Sequence, residues 1–447
     1  MIAALNAIPK FRTGGFVSRC SGGLVSAIGL AGRAGVGEIC LIESGASSAS
    51  PLFDDRTAIP AEIVGFSEAA VQLVTYDEPR GITQGARVTV EPDLAVVRPC
   101  LAWRGRVLDA MGNAIDGGAP LPRGALPYAI QTRPVAAEKR RGLGPRQSLG
   151  VRALDLFAPC CEGQRMGIFA GSGVGKSTLL SMIAASSAAD VMVIGLIGER
   201  GRELHDLLEA TLGENGRARS VVVVATSDQP AMLRRRAAYL TLTVAEFLRD
   251  QGLKVLCLMD SVTRFAMALR EIYLAAGEVP TSRGYPPGVF AELPRLLERA
   301  GPGASTGSIT GLFTVLVEGD DTNEPISDTV RGILDGHVVL DRAIAEGGRF
   351  PAVDPLRSLS RTAPACYAPR ERELAREARR LMRLHADMAE LIRLGAYRSG
   401  ANAELDRAIA VQPALERVLR QNPDERSTSE QAFVALAEAL ADAATGA

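Results

Sequence analysis

The chain has 447 residues, of which 47% are hydrophobic and 23% are charged, and this is the balance of a globular protein with two or three domains. The 50 basic and 51 acidic residues leave a formal net charge of −1. The overall charge therefore excludes bulk attraction to nucleic acid or to an anionic membrane, and any such partner would need a local patch.

The seven cysteines are scattered and form no CxxC pair, which fits neither a disulfide framework nor a zinc site and predicts a reducing cytoplasm. The N-terminus has no basic start followed by a long apolar core, and no run of about 18 apolar residues occurs later. We therefore expect a chain that is neither exported nor membrane-spanning. The histidines His205, His337 and His385 share no motif and are expected to have structural roles.

The N-terminal quarter of the chain divides into an arm and a β-rich domain. Residues 1–22 show no strong period and are predicted to form an N-terminal arm. Over residues 23–92, short β-type runs alternate with turn residues, as at 61–65, 70–75 and 86–90. This pattern predicts a small β-barrel domain.

The remaining chain is predicted to hold an α/β domain over residues 93–364 and a helical domain over residues 365–447. Residues 91–149 are rich in proline, glycine and polar turns, and are read as connecting structure. Continuous apolar runs then alternate with helix-length segments, which is typical of a buried parallel sheet covered by helices. From about residue 367 the composition changes to Arg, Glu, Ala and Leu at helical spacing. The apolar runs are 166–169, 191–197, 221–225 and 255–259.

A glycine-rich segment follows the first apolar run and opens a helical one. Backbone N–H groups can converge on a phosphate in such a loop, and the helix N-terminus adds a favourable dipole. Lys176 would bridge the β- and γ-phosphates, and the Ser177 hydroxyl would ligate Mg²⁺. The strict motif begins with glycine where this chain has Ala170, which costs little if the backbone there keeps a negative φ. The predicted nucleotide-binding residues are Ala170, Gly171, Ser172, Gly173, Val174, Gly175, Lys176, Ser177 and Thr178.

Two further strands end in acidic residues. The run 255–259 ends in Asp260, which is predicted to hold a Mg²⁺-bound water, although an apolar run ending in Asp is by itself more often a helix cap. The run 191–197 leads into Glu199 and Arg200, at the sheet edge where ligands of open α/β sheets bind. Glu199 is predicted to orient the attacking water and Arg200 to contact the γ-phosphate. The alternative for this pair is a solvated loop of salt bridges.

Several blocks in this order resemble the catalytic subunits of rotary ATPases and the type III secretion ATPases, above all the flagellar type III protein-export ATPases. The resemblance covers roughly residues 23–420, and alanine at position 170 is usual in that branch. The blocks that carry it are 169–177 (Phe-Ala-Gly-Ser-Gly-Val-Gly-Lys-Ser), 198–203 (Gly-Glu-Arg-Gly-Arg-Glu), 259–266, 280–287, 318–326 and 333–340.

The resemblance implies a RecA-like P-loop ATPase core between the small β-barrel and the helical domain, and a ring of six identical chains with ATP at the subunit boundaries. By motif match, Glu199 is the catalytic carboxylate and Arg200 a γ-phosphate contact. Arg361, which closes Ser-Leu-Ser-Arg, matches an arginine finger donated to the neighbour's site. Phe350 matches an aromatic residue beside the adenine, where the family more often has tyrosine.

The resemblance also implies partners. A stator-like regulator would dock on the N-terminal arm, and a coiled-coil stalk protein would enter the central opening near residues 280–287. Export substrates and their chaperones would bind the ring, which would sit peripherally on the cytoplasmic face of the inner membrane at the export gate. No nucleic acid is expected, because the 23–92 region has few aromatics (Phe53, Phe66, Tyr76) and no basic cluster.

Four functions are compatible with these blocks. The leading one is ATP hydrolysis coupled to type III export of flagellar proteins, and the residue blocks at 322–333 and 395–406 favour it. The second is the same activity in a virulence secretion system. A non-catalytic ring subunit of a rotary ATPase is disfavoured by Glu199, and an RNA-translocating hexamer is disfavoured by the weakly aromatic barrel.

Overall fold

The computed structural model describes residues 13–45, 58–317 and 324–442. Its N-terminal part is a closed antiparallel barrel with the strand order β1-β2-β5-β4-β3-β6. Alternate side chains point inward and form a compact apolar core, as expected for a half-buried strand. The barrel strands are β1 (Gly14–Ser21), β2 (Leu24–Ile28), β3 (Ile39–Glu43), β4 (Ala58–Ser67), β5 (Ala70–Thr75) and β6 (Arg87–Val90).

The first barrel strand lies within the segment that the sequence assigned to the arm. β1 pairs with β2 and with β6, and so closes the barrel. Only Gly15 and Val17 of this strand are buried, so its apolar alternation is too short to stand out in the sequence. The rest of the predicted arm, residues 1–12, lies outside the described residues.

An eight-strand path with the order β19-β18-β12-β17-β15-β13-β14-β8 forms the central sheet. The neighbours from β18 to β8 pair in parallel, and β16 and β19 add short antiparallel pairs. The strands of this region are β7 (Val96–Val97), β8 (Val107–Leu108), β9 (Tyr128–Ala129), β10 (Arg146–Gln147), β11 (Cys160–Cys161), β12 (Arg165–Ala170), β13 (Val191–Glu199), β14 (Ser220–Thr226), β15 (Lys254–Asp260), β16 (Gly301–Pro302), β17 (Ser308–Leu316), β18 (Gly336–Leu340) and β19 (Leu359–Ser360).

Helices cover both faces of this sheet, whose strands are buried along almost their whole length. This is the α/β layer arrangement that the continuous apolar runs predicted. The helices are α1 (Arg152–Phe157), α2 (Lys176–Ser186), α3 (Gly201–Asp206), α4 (Gly213–Ala218), α5 (Ala231–Asp250), α6 (Val262–Ala275), α7 (Pro287–Leu297), α8 (Pro325–Ile333), α9 (Arg342–Glu346) and α10 (Ala363–Cys366), with a π-helical turn at Leu207–Leu212 and 3₁₀ turns at Pro92–Ala95, Leu101–Trp103, Ala137–Lys139 and Ser282–Gly284.

The C-terminal part is helical, as predicted, and consists of α11 (Pro369–Arg393), α12 (Ala403–Leu419) and α13 (Ser429–Asp442). Its apolar side chains join the core on one face of the sheet. Arg146 of β10 forms ion pairs with Glu371 and Glu430, at 2.7 and 3.2 Å, and so links two of these helices to the central domain. The predicted fold class of β-barrel, RecA-like core and helical domain is confirmed.

One cysteine pair corrects the sequence-based expectation that the cysteines form no disulfide. Cys161 and Cys366 are bonded, with Cα atoms 6.6 Å apart, although 205 residues separate them in the chain. The fold brings β11 and α10 together, and no local spacing of cysteines could reveal such a pair.

No helix within the described parts of the chain combines the length and the apolar character needed to cross a membrane.

Candidate active site

The glycine-rich loop lies between the carboxyl end of β12 and the first turn of α2. Gly173 and Gly175 have φ values of 78° and 91°, which non-glycine residues rarely adopt, so the loop's tight path depends on both of them. Gly175 is the N-cap of α2, and no side chain caps this helix end. The first N–H groups of α2 are therefore available to a ligand, and the helix dipole favours an anion there.

The loop presents part of its length to solvent. Ser172, Gly173, Ser177 and Thr178 are exposed, whereas the apolar side chains of the loop are buried in the core. Ala170 is not among the described non-glycine residues with positive φ, so the alanine fits this position as predicted. The loop thus exposes hydroxyl and backbone groups where a phosphate chain would lie.

Two carboxylates face the lysine of this loop. β13 and β15 pair in parallel, with Leu196 opposite Asp260, so the carboxyl ends of both strands reach the same edge of the sheet. Lys176 Nζ lies 2.6 Å from Asp260 Oδ1 and 3.9 Å from Glu199 Oε1. The structure therefore brings together the lysine, the predicted metal-site carboxylate and the predicted catalytic carboxylate.

Glu199 is buried, with only 7% of its surface exposed. Its Oε1 atom is buried and has no hydrogen-bond partner among the described residues. Burial, and then the charge of Asp260, raise the pKa of Glu199 above its usual value, while Lys176 and Arg264 act in the opposite direction. A carboxylate with an unused oxygen and a raised pKa is suited to accept a hydrogen bond or a proton from water.

The structure places the other predicted residues at different distances from this cluster. Phe350 lies beside the loop, since a Cβ atom on Gly175 would lie 3.5 Å from its ring. Arg200 is the exposed N-cap of α3, directly after Glu199.

Arg361 lies at the opposite end of the sheet. Arg361 follows Ser360, and Ser360 pairs with Gly336 at the start of β18. The glycine-rich loop begins at Ala170, which pairs with Leu340 at the end of β18. Gly336 and Leu340 are four residues apart on an extended strand, which corresponds to roughly 13 Å. The Arg361 side chain is exposed and its backbone N–H donates to Asp335 O at 2.9 Å. The fold therefore does not bring Arg361 to the glycine-rich loop of its own chain.

Two residues near the carboxylates were missed by the sequence reasoning. Thr314 of β17 donates to Asp260 Oδ1 at 2.6 Å. Arg264 of α6 has a buried Nε atom without a hydrogen-bond partner among the described residues, and its charge acts on Glu199. Arg264 stands in a block quoted for the family resemblance, so its motif was a signal. Thr314 offered none, because its strand was not predicted.

These residues fit MgATP. The uncapped N-terminus of α2, the lysine and the loop N–H groups suit a chain of phosphates. The exposed Ser177 hydroxyl and the Asp260 carboxylate are oxygen donors of the kind that Mg²⁺ prefers. Glu199 Oε1 has no hydrogen-bond partner among the described residues and leaves an acceptor for a water molecule beside them.

Comparisons with known proteins agree with this chemistry. A model of the ATP synthase alpha/beta family, nucleotide-binding domain, matches residues 150–360. A model of the T3SS EscN ATPase C-terminal domain matches residues 367–438. Together with the glycine-rich loop and its carboxylates, these matches define the chain as an ATP-hydrolysing enzyme of the ATP synthase alpha/beta class, as predicted.

Individual relatives show to which family within this class the chain belongs. The flagellum-specific ATP synthase of Caulobacter vibrioides is 51% identical over 446 residues, which cover 98% of this chain and 98% of that protein. The SPI-2 type 3 secretion system ATPase of Salmonella typhimurium is 44% identical over 390 residues, covering 87% of each chain. The chain belongs to the flagellar type III protein-export ATPases, a family related to the catalytic subunits of rotary ATPases.

Solved structures give the same fold. The assembled ATPase EscN from the type III secretion system of enteropathogenic E. coli superimposes with a TM-score of 0.88 at 37% identity, covering 95% of this chain and 100% of that one. EscN in complex with its central stalk EscO gives a TM-score of 0.84 at 36% identity, with the same coverage.

Proposed function

We propose that six copies of this chain form a ring that hydrolyses MgATP at its subunit boundaries and couples hydrolysis to type III export of flagellar proteins. The observation that carries the proposal is the position of Arg361, which is exposed at the end of the sheet opposite to its own glycine-rich loop. An arginine finger in that position can serve only a neighbouring chain. The assembled state of the relative EscN supports such a ring.

The side chains at each subunit boundary have separate roles in binding and hydrolysing MgATP. Lys176 would hold the β- and γ-phosphates, Ser177 would ligate the metal ion, and Asp260 would hold a water bound to that ion. Bound Mg²⁺ would neutralise charge on the phosphate oxygens. Glu199 orients the attacking water and accepts its proton, a role that suits its raised pKa and unused Oε1 atom. Arg361 of the neighbouring chain offers positive charge to the transition state.

Two residues would complete the nucleotide site. Phe350 lies next to Gly175 and is 44% exposed, so its ring can offer an apolar face to the adenine. Arg200 directly follows Glu199 and is exposed to the same edge of the sheet, where it would contact the γ-phosphate.

A stalk protein is proposed to enter the central opening and to contact the loop around residues 280–287. The side chains of Thr281, Ser282 and Arg283 are exposed there, and the preceding Val279 is 75% exposed. The relative EscN is known in complex with a central stalk, EscO. We expect crosslinks from a coiled-coil stalk protein to map to this loop and not to the barrel.

The remaining partners follow from the family alone. A stator-like regulator would dock on the N-terminal arm, whose first twelve residues lie outside the described structure. Export substrates and chaperones would bind the ring at the export gate, on the cytoplasmic face of the inner membrane. Removing residues 1–12 should spare the isolated ATPase activity and abolish regulator binding, and unchanged binding would refute the arm's role.

We favour the flagellar assignment because the flagellum-specific relative of Caulobacter vibrioides is 51% identical and covers 98% of this chain, whereas the SPI-2 relative covers 87%. Identity alone does not separate the two systems, since the 44% of the SPI-2 relative falls between the 42% and 51% of flagellum-specific relatives. Expressing this chain in a bacterial strain that lacks its own flagellar ATPase should restore motility. Restored secretion of virulence effectors without motility would favour the alternative.

Sizing experiments test the ring. With a non-hydrolysable ATP analogue we expect a mass near six chains, and turnover per chain should rise with protein concentration because dilution separates the site from the neighbour's arginine. Full turnover per chain by a species that stays monomeric during the assay would contradict the proposal.

A further inference from the structure

Asp260 is held from two sides by groups of different kinds. Lys176 Nζ and Thr314 Oγ1 each lie 2.6 Å from the same atom, Asp260 Oδ1. Both hydrogen bonds end on Oδ1, and within the described part of the chain no hydrogen bond reaches the second oxygen, Oδ2.

Strand pairing fixes the position of Thr314. β17 lies between β12 and β15, and Met259 pairs with Phe313, so Thr314 is the next residue along β17, beside Asp260. Thr314 is completely buried and Asp260 is 5% exposed. A β-branched side chain on a central strand has few accessible rotamers, so the hydroxyl stays beside the carboxylate.

The hydroxyl has one proton and two acceptors within reach. Met259 O lies 3.3 Å from Thr314 Oγ1, which is longer than the 2.6 Å to the Asp260 carboxylate. A charged acceptor at the shorter distance forms the stronger hydrogen bond, so the proton points to Asp260.

The two donors differ once phosphates bind. Lys176 has a long flexible side chain whose charge is needed by the β- and γ-phosphates, so its contact with Asp260 must loosen in the complex. Thr314 is neutral and fixed, and its bond to Oδ1 can persist. We propose that Thr314 is a positioning residue that holds Asp260 Oδ1 and so keeps the carboxylate oriented with Oδ2 available, where it would accept from the water of a hydrated Mg²⁺.

This inference rests on the proposed role of Asp260 in the metal site. Groups that orient metal-site carboxylates typically contribute about 10- to 100-fold to metal affinity or activity. In Thr314→Val the Mg²⁺ concentration that half-saturates binding of a fluorescent ATP analogue should rise about tenfold, whereas binding in the presence of EDTA should stay within about twofold. Thr314→Ser keeps the hydroxyl and should restore the wild-type Mg²⁺ requirement.

The matched control is Thr310→Val. Thr310 lies on the same strand and is equally buried, but its hydroxyl bonds Gln147 Oε1 and Gly163 N, away from the site. This variant should leave the Mg²⁺ requirement unchanged. If Thr314→Val does not fold, the pair Thr314→Ser and Thr314→Ala provides the test, because the two differ only by the hydroxyl.

The variant Asp260→Asn tests the metal-site role of Asp260 separately from the positioning role of Thr314. An unchanged Mg²⁺ requirement in Asp260→Asn would overturn the metal role of Asp260 itself. If Asp260→Asn raises the requirement and a folded Thr314→Val does not, only the positioning role of Thr314 is wrong. Failure of Thr314→Ser to restore the requirement would likewise contradict it.

Discussion

The two ends of the central sheet differ in how their charges are satisfied. At the carboxyl end, Lys176 lies between two buried carboxylates that belong to the same chain. At the amino end, Arg361 is exposed and its backbone N–H donates to Asp335 O. The carboxyl end holds the lysine and carboxylates of the candidate site, and the amino end exposes a positive charge remote from the glycine-rich loop of its own chain. Under the proposed function, a single copy would lack the arginine that completes its site.

The largest combined effect on turnover and nucleotide binding is expected at the carboxyl end, from Lys176→Ala. The variant leaves Asp260 and Glu199 without the cation between them and removes the charge that the phosphates need. Turnover should fall by roughly 10³-fold or more, and nucleotide binding should weaken. Lys254→Ala is the matched control, because Lys254 pairs with Glu162 at 2.6 Å and lies at the start of β15, remote from the loop. Near wild-type turnover in Lys176→Ala would remove this end of the sheet from the chemistry.

Glu199→Gln separates chemistry from binding at the same end. The amide keeps the size of the side chain but cannot accept the proton of the attacking water. Turnover should fall roughly 10²- to 10⁴-fold while MgATP binding is retained. An equilibrium titration with a fluorescent nucleotide beside a phosphate-release assay measures both. If binding is lost together with turnover, Glu199 has a structural role instead.

Asp155 offers a smaller effect and a contrast with Glu199, since both are buried carboxyl groups with raised pKa values. Asp155 lies on α1, where it accepts hydrogen bonds from Ser148 Oγ at 2.7 Å and from Leu149 N at 3.0 Å. Burial outweighs these bonds and raises the pKa of Asp155 from 3.8 to about 6. These hydrogen-bond donors lie outside the glycine-rich loop and its carboxylates, and we assign Asp155 no role in hydrolysis.

The sign of the pH effect follows from that shift. Because the folded pKa is the higher one, the contribution of Asp155 to stability is fully present below about pH 4 and is lost as the pH rises through about 6. Asp155→Asn cannot ionise, so it should stabilise the protein by about 1–3 kcal/mol near pH 8, a few degrees in melting temperature, and much less near pH 4. Turnover should be unchanged. An equal shift at both pH values would show that ionisation of Asp155 is not the cause.

The sequence alone was enough to predict those parts of the candidate site that follow a continuous apolar run. The glycine-rich loop, Glu199 and Asp260 each follow such a run, and the parallel sheet predicted from the same runs puts them at one edge. Their mutual distances depend on the strand order, which the runs do not encode.

The parts that the sequence reasoning missed depend on contacts between distant residues. β17 occupies the middle of the sheet, but Thr310, Gly311 and Thr314 interrupt its apolar character, so no continuous run marks it. The hydrogen bond from Thr314 to Asp260 joins residues 54 positions apart. The disulfide between Cys161 and Cys366 spans 205 positions. Periodicity reports which face is buried, and it does not report which element lies opposite.

The most direct test of a site shared between chains mixes two inactive variants. Arg361→Ala should bind ATP almost normally and lose roughly 10³- to 10⁵-fold in turnover, the value of an arginine finger in other P-loop enzymes. Arg357→Ala removes an exposed arginine that shortly precedes Arg361 in the chain and pairs with Asp341 of the same chain, and this variant should remain active. When Arg361→Ala and Glu199→Gln chains are mixed in equal amounts, about a quarter of the boundaries in a random ring combine an intact carboxylate with an intact finger. Activity should therefore reappear, up to about a quarter of the wild-type value, once native mass spectrometry shows mixed rings. Mixed rings no more active than either parent would contradict a finger that acts between chains.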